Sequence, residues 1–394
     1  MELLSLPFFL LCLSSAIWLT LTRGWLRSLG FSGACAWYAS SFLGPEGIAT
    51  TLGFVVLGYG VARAAQRGRA LYVGGLVLLL ACFFVLRGYL GVPQEGWGRY
   101  FVPAGLSFLF FKILHVVIDA RAGTLRALSP WTYFNYCLAF PTFLLGPIQR
   151  YPEFERQWSG AEPTIESTFE AHLDAVNRVL RGLVKKYVLA ESLADYALQA
   201  DADVEHMSLG ALLLACYAFY FLLYFDFSGY CDVMIGAGAL IGVKPPENFR
   251  LPFLATNIAD FWLRVHRSLT RWLTDYVFNP SLAALLRTRA LGTRPLLATS
   301  LALLCTMIVS GVWHGTTLSF LAFGLLHGLY VVGYRLWEAF ARARLGRAGL
   351  ARLRARPAWQ AFGVLLTFQL TSMAFPCFVL DSEALGVLWG RLLP

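Results

Sequence analysis

Long apolar runs separated by short polar segments constrain this chain more than any other feature of its sequence. Crossing the hydrocarbon core of a membrane takes roughly 20 apolar residues, and residues 3–21, 70–86, 295–312 and 358–380 approach that length with few charges. The chain as a whole is 58% hydrophobic and 14% charged, whereas soluble domains carry about 25% charged residues. The sequence therefore predicts an all-α polytopic membrane protein with about 10–11 membrane-inserted helices around a central cavity and with interfacial amphipathic helices.

The first of these runs is expected to be a retained span. It has no basic residue before it and no small-residue cleavage site after it, which distinguishes it from a removed signal peptide. A later predicted span, residues 100–118, carries Lys112 and His115 near its end. We expect both side chains to reach towards the membrane interface.

The net charge of +9 comes almost entirely from arginines that cluster between the apolar runs. This is typical of cytoplasmic loops in membrane proteins, and residues 335–357 are predicted to form the largest of them. The sequence has no stacking motif or basic repeat, so membrane lipids and not nucleic acid are the expected surroundings of these charges.

The eight cysteines are scattered through apolar segments, and no pair has the C-x-x-C spacing of a zinc or redox site. We interpret them as small buried hydrophobic residues. The spacing of His, Asp and Glu predicts no metal site either.

Two segments interrupt the apolar pattern in different ways. Pro141 and the pair Gly146-Pro147 break residues 130–148, and a broken helix at membrane depth is tolerated only where it is buried in protein or lines a cavity. Residues 165–189 instead place apolar side chains at helical spacing, which predicts an amphipathic helix that runs into a span.

A second amphipathic helix is predicted to start near Asn257, because Asn257 followed by Asp260 is typical of an N-cap. As one helix through residue 276, the segment would gather its apolar side chains on one face and its arginines on the other. His266 would then fall at the border of the two faces, where it could reach a cavity or stay a plain interfacial residue.

Asp226 and Asp232 interrupt an apolar region that extends to Val243. Carboxylates at membrane depth need a partner, and the sequence leaves two interpretations open. The first is that the arginines of the helix near Asn257 neutralise both acids, and the second is that the acids belong to a functional site.

The segment 311–315, Gly-Val-Trp-His-Gly, places His314 between the apolar runs 295–312 and 317–334. An ionisable side chain at membrane depth is costly and is therefore a functional-site hypothesis. The alternative is an interfacial histidine held by one hydrogen bond. His327 follows 13 residues later, about 20 Å along a helix, so the two histidines are not expected to share a metal ion.

Several short stretches of the chain carry a resemblance when they are taken together. They are residues 146–151, 181–186, 224–230, 246–249, 260–269, 275–276, 311–315 and 324–328. In this order they resemble the membrane-bound O-acyltransferase family, and within it the bacterial cell-envelope branch of alginate O-acetyltransferases and teichoic-acid D-alanyl transfer proteins.

The resemblance implies catalytic roles for His314, in the tryptophan-histidine-glycine triplet, and for His266, on the preceding amphipathic helix. His327 matches a recurrent histidine of the family, which we interpret as a packing or cavity residue. Five further residues in the matching stretches are predicted to bind substrate: Gln149, Arg150, Asp226, Asn248 and Trp313.

The function that the resemblance implies is O-acyl transfer in the bacterial cytoplasmic membrane by a multi-pass enzyme without a bound cofactor. The acyl group, acetyl as the first choice, would come from a cytoplasmic thioester donor, acetyl-CoA or an acyl-carrier protein. The acceptor would be a hydroxyl of a cell-envelope polysaccharide or of a periplasmic or extracellular acyltransferase partner. D-Alanyl transfer to a teichoic acid-like polymer is the alternative within the family.

The implied organisation has three parts. Residues 1–130 form N-terminal transmembrane helices, residues 131–334 form the acyltransferase core, and residues 335–394 form the basic cytoplasmic loop with the last transmembrane helix.

Other functional classes are less compatible with the sequence. A transporter or flippase for a lipid-linked or acyl substrate would usually show internal repeats in its hydropathy, and the two halves of the chain show none. A catalytically inactive scaffold of the same fold would not need to retain both histidines. The chain has no Gly-x-Ser-x-Gly elbow, so a serine acyl-enzyme is not expected.

Overall fold

The computed structural model describes residues 4–22, 24–88, 105–125, 127–158 and 169–392, and within those ranges its regular elements are helices. The predicted all-α class is therefore confirmed. Residues 100–104 of one predicted span and residues 165–168 of the predicted amphipathic helix lie outside the described residues.

The principal helices follow one another along the chain with short connections. They are α1 Leu6–Leu21, α2 Gly24–Ser40, α3 Pro45–Arg67, α4 Arg69–Leu86, α5 Leu106–Ala122, α6 Pro130–Leu138, α7 Tyr151–Trp158, α8 Phe169–Val184, α9 Glu191–Ala194, α10 Leu209–Leu240, α11 Ile258–Trp262, α12 Arg267–Leu273, α13 Asn279–Leu286, α14 Pro295–His314, α15 Leu318–Ala355, α16 Pro357–Ala374 and α17 Ser382–Leu392.

Six segments of the described chain are helical, long and apolar enough to cross a membrane. They are α3, α4, α10, α14, α15, and α16 with its extension to Phe378. The first predicted span, α1, is apolar but only 16 residues long. The other predicted membrane-inserted segments are shorter helices, so the number of ten or eleven stays a prediction.

The chain divides into two compact units. The first comprises Met1–Leu183 and Tyr230–Pro246, and the second comprises Val184–Gly229 and Glu247–Pro394, so that the boundary falls inside α10. This grouping does not test the predicted functional division at residues 130 and 334, which stays a prediction.

In the first unit, α5 is buried on nearly every side. The expectation that its two polar residues reach the membrane interface is therefore wrong. Lys112 and His115 do not reach an interface but are 1% and 0% exposed. The Lys112 Nζ donates to Thr142 Oγ1 at 2.9 Å and lies 4.6 Å from the centre of the Tyr136 ring. His115 Nε2 accepts from the Tyr151 amide at 3.0 Å, and its Nδ1 lies 3.1 Å from the Phe111 carbonyl oxygen. Each polar group is therefore satisfied inside the protein.

The predicted break in residues 130–148 is present. Helix α6 ends at Leu138, a single 3₁₀ turn covers Phe140–Thr142, and the chain then runs without helix to Tyr151. The amphipathic segment is likewise helical, as α8, a π-helical turn Lys185–Ala190 and α9. It does not run into a span, because turns over residues 195–208 separate it from α10.

In the second unit, the arginine-rich segment that was predicted to form a cytoplasmic loop is helical, and its location on the cytoplasmic side stays a prediction. Helix α15 extends through it to Ala355 with a single break at Gly346, whose φ of 67° lies in the left-handed region that glycine tolerates. The chain folds back at this break, because Arg354 lies 2.9 Å from Glu338 on the preceding arm. Alanine, leucine and arginine dominate the segment and are strong helix formers, which accounts for its helical structure.

Candidate functional site

His314 is the last residue of α14, and aromatic rings surround its half-buried imidazole. Its ring centroid lies 4.6 Å from that of Trp313, 5.6 Å from Phe323 and 4.9 Å from Phe378. The ring nitrogens make no hydrogen bond to any residue in the described part of the chain. Their lone pair and N–H are therefore available to a bound substrate.

The close crossing of α14 and α15 fixes the position of His314. A Cβ atom on Gly311 would lie 2.9 Å from the Cα of Gly324, and one on Gly324 would lie 3.1 Å from the Cα of Gly311. Only glycine allows two helix backbones to approach this closely. The Gly315 residue after the histidine is also constrained by space, because a Cβ there would overlap the Phe320 ring.

His266 does not lie within a continuous amphipathic helix, so that prediction is wrong. Asn257 does cap α11, and its side chain accepts from the Asp260 amide at 2.9 Å. However, α11 ends at Trp262, and α12 begins only at Arg267. His266 occupies the turn between them, with φ 41° and ψ 48° in the left-handed region. The position at the border of two helix faces, which was predicted for His266 from a single continuous helix, therefore does not apply.

Asn248 holds this turn from the side. Its Oδ1 accepts from the Ser268 amide at 3.1 Å and from the Ser268 hydroxyl at 2.8 Å, and its carbonyl oxygen accepts from the Arg267 amide at 2.9 Å. On the other side of the turn, the Arg250 amide donates to the Arg264 carbonyl at 2.8 Å. Since Asn248 is only 1% exposed, these bonds form in a buried setting where they strongly favour one backbone geometry.

The imidazole of His266 is buried and points into the same aromatic environment as Trp313. Its ring centroid lies 5.1 Å from Phe227 and 6.2 Å from Trp313. Trp313 is thus in ring contact with both His266 and His314. Burial lowers the pKa of His266 to about 3, because desolvation disfavours the charged imidazolium. His266 is therefore neutral at physiological pH.

His327 lies one helix further on, in α15, and belongs to the packing around the site. It is 0% exposed and lies among Phe261, Trp262 and Phe323, with ring centroids 6.0, 5.1 and 4.5 Å away. Both ring nitrogens are buried without a hydrogen-bond partner in the described residues. The ring contacts agree with its interpretation as a packing or cavity residue.

The two acids of α10 are paired, but not with the predicted helix. Asp226 forms an ion pair with Lys186 of the π-helical turn, in the second unit. Asp232 pairs with Arg178 of α8 at 3.0 Å, in the first unit. The expectation that arginines of the segment after Asn257 would neutralise both acids is wrong, since Arg264 pairs instead with Asp260 at 2.8 Å.

Gln149 and Arg150 lie in the first unit, in the segment after the Gly146-Pro147 break, and both are buried. The Gln149 Nε2 donates to the Lys244 carbonyl at 3.3 Å and to Gln157 Oε1 at 3.2 Å. Gln149 therefore connects two irregular segments of its own unit. The roles of Gln149, Arg150 and Asp226 in substrate binding stay predictions.

The structure thus brings together His314, Trp313, His266 and Asn248 in the second unit. Two aromatic contacts of this site, Phe227 against His266 and Phe378 against His314, were not predicted. No local pattern marks Phe378, since it lies 64 positions after His314 in the sequence. Phe227 lies in residues 224–230, one of the stretches that carry the family resemblance, and this resemblance is the sequence feature that could have identified it.

Comparisons with known proteins show which family this chain resembles. The family model of the membrane-bound O-acyltransferase family matches residues 77–380. A teichoic acid D-alanyltransferase of Streptococcus thermophilus is 29% identical over 293 residues, which cover 72% of this chain and 69% of the relative. A probable alginate O-acetylase AlgI of Azotobacter vinelandii is 30% identical over 348 residues, 84% of this chain and 65% of the relative.

A third relative, a probable alginate O-acetylase AlgI of Pseudomonas fluorescens, is 32% identical over 231 residues, 58% of this chain and 44% of the relative. The chain therefore matches between about two fifths and seven tenths of the length of these proteins. The matched region of the family model includes every residue of the site described above.

Proposed function

The chain belongs to the membrane-bound O-acyltransferase family, and we propose that it transfers an acyl group, acetyl as the first choice, to a hydroxyl of a cell-envelope polysaccharide or of an export partner. The donor is a thioester on the cytoplasmic side, acetyl-CoA or an acyl-carrier protein, and the membrane is the bacterial cytoplasmic membrane. The observation that carries this proposal is the pair His314 and His266 on either side of Trp313.

His314 is the general base in this proposal. The acceptor hydroxyl oxygen attacks the thioester carbonyl carbon while a ring nitrogen of His314 takes the hydroxyl proton. When the tetrahedral intermediate collapses, the C–S bond breaks, and the imidazolium returns the proton to the leaving thiolate. The products are an ester and a free thiol. General base catalysis of this kind contributes typically 10²–10⁴-fold to the rate.

His266 acts on the other charge that develops. A neutral imidazole retains one N–H, and the burial that lowers the pKa of His266 keeps it in this form. Its N–H can orient the acceptor or donate a hydrogen bond to the oxyanion of the intermediate. The left-handed turn held by Asn248 fixes the direction of this group before the substrate arrives, as effective oxyanion stabilisation requires.

D-Alanyl transfer through a carrier protein is the second candidate, because teichoic acid D-alanyltransferases are among the relatives of this chain, and the one from Streptococcus thermophilus is matched over 69% of its length. The catalytic groups would be the same, because both acyl groups arrive as thioesters.

The test is to replace His314 with alanine and to measure ester-linked acyl groups released from the cell envelope by mild base. We expect one released species, acetate or D-alanine, to fall by roughly 10²-fold or more at equal amounts of membrane-inserted protein. The matched control is His206→Ala, because His206 is an exposed histidine of the same unit. Unchanged esters in the His314 variant would exclude its catalytic role and favour a transporter or a scaffold.

A further inference from the structure

A groove between α15 and α16 in the second unit has no part in the proposed chemistry. It encloses about 500 Å³, within the range of about 300–1,000 Å³ that proteins use for small ligands. Leu329 and Leu366 form apolar walls, Ile258 and Tyr330 lie at one end, and Trp337 and Trp359 lie at the other.

The second end of this groove carries stacked aromatic side chains. The rings of Trp337 and Trp359 lie 5.5 Å apart at an angle of 18°, and Tyr334 stacks on Trp337 at 5.7 Å. Tryptophan and tyrosine are enriched at the level of lipid headgroups, where their rings contact acyl chains and their polar atoms face water. This end of the groove therefore has the composition of a membrane interface.

The same end carries an excess of positive charge. Arg335, Arg342 and Arg354 all converge on Glu338, at distances of 3.0, 3.5 and 2.9 Å. One carboxylate cannot neutralise three guanidinium groups. Arg354 also donates to the Tyr334 hydroxyl at 3.0 Å, which fixes the cluster against the aromatic rim. A phosphate group at this position would complete the neutralisation.

We infer that the groove binds one anionic phospholipid, with an acyl chain between α15 and α16 and the headgroup phosphate against the arginines around Glu338. An apolar trough that opens beside a fixed cationic cluster fits a molecule with both features. A soluble phosphate lacks the chain, and a zwitterionic lipid carries a compensating cation that the arginines would repel. The inference is independent of the proposed acyl transfer.

The first test fills the groove. Gly333 lines it, and a Cβ at this position would meet no atom within 4 Å, so that the side chain of Gly333→Leu begins in open space. We expect phosphatidylglycerol that is retained by the protein in mild detergent, measured by native mass spectrometry, to fall by roughly tenfold. Gly60→Leu is the matched control, because Gly60 lies in the membrane helix α3 and also faces open space.

The second test addresses the charge and uses the wild-type chain. Phosphatidylglycerol added to delipidated protein should raise the midpoint of thermal unfolding, whereas phosphatidylcholine with the same chains and glycerol phosphate should not. Arg342→Gln should reduce this difference, and Arg63→Gln, an exposed arginine of α3, should leave it unchanged.

Equal stabilisation by both lipids, or equal lipid retention in wild type and Gly333→Leu, would overturn the inference. An increase in the KM for the thioester donor in Gly333→Leu, with lipid retention unchanged, would assign the groove to the donor. Stabilisation by glycerol phosphate alone would assign the cluster to a free phosphate.

Discussion

At the scale of single residues, the backbone of His266 is the most informative feature of the site. A residue with a side chain at φ 41° is held in a sparsely populated region, which costs roughly 1–2 kcal/mol. Such a conformation persists only where its surroundings enforce it, and the hydrogen bonds that Arg267 and Ser268 donate to Asn248 do so here. The strain directs the imidazole towards Phe227 and Trp313.

His266→Asn separates the backbone of this residue from its chemistry. Asparagine tolerates the left-handed region, so we expect the variant to insert and fold as the wild type does. Its amide N–H is held closer to the backbone than the imidazole N–H, and displacing an oxyanion donor in this way should lower kcat by roughly 10²-fold or more. The measurement is the rate of ester formation in membranes, normalised to the amount of folded protein.

The comparison variant is His266→Ala, which removes the imidazole and keeps the strained backbone. It should lose as much activity as His266→Asn and in addition unfold at a lower temperature. If His266→Ala retained wild-type activity per amount of folded protein, the assignment of a chemical role to His266 would be wrong, and the turn would have a structural role alone.

At the scale of elements, the crossing of α14 and α15 positions His314. The contact between Gly311 and Gly324 leaves no room for a methyl group on either helix. We expect Gly311→Ala to displace His314 relative to its aromatic neighbours and to lower both the thermal midpoint and the rate of ester formation. An overpacked contact of this kind costs typically 1–3 kcal/mol.

Gly60→Ala is the control for Gly311→Ala, because it also replaces a glycine in a helix but not at a helix crossing. Gly60 faces open space in the middle of α3, so the added methyl group should be neutral or should stabilise the helix by about 0.5–1 kcal/mol. Unfolding curves of the two variants in the same detergent distinguish a crossing effect from a general response to alanine. Equal midpoints for the two variants would contradict the proposed role of the crossing.

Among the helices and their breaks, the features that could be predicted from the sequence are those with a local cause. The N-cap at Asn257 and the break around Pro141 were predicted because their causes are local: a side chain that accepts from its own helix, and a missing amide donor. The division between α11 and α12 could not be predicted from periodicity. Its cause is Asn248, a residue outside the helix that bonds to the chain after His266.

At the scale of the whole molecule, apolar composition predicted the all-α membrane fold but not the partners of the charged residues in its helices. The acids of α10 pair with Lys186 and Arg178, which precede them, whereas the sequence suggested arginines that follow them. Hydropathy locates a helix in the membrane, but it carries no information on which neighbouring helix faces a given residue. Lys112, buried against Thr142 and Tyr136, was missed for the same reason.

The distribution of arginine predicts the orientation of the chain. Residues 335–356 carry seven arginines and one acid, and a segment of this charge is retained on the cytoplasmic side. The fold-back at Gly346 keeps both arms of the segment close together, so the whole arginine-rich hairpin should lie on that side. Helix α16 follows it and is long and apolar enough to cross once, so we expect α17 on the opposite side.

Cysteine labelling tests this orientation directly. With a membrane-impermeant maleimide, Arg347→Cys should react only after the membrane is opened, whereas Glu383→Cys, at the exposed start of α17, should react in intact spheroplasts. The wild-type chain provides the background from its own eight cysteines. Labelling of Arg347→Cys in intact spheroplasts would reverse the orientation. It would also place the arginines around Glu338 outside the cell, where a thioester donor from the cytoplasm could not approach that end of α15.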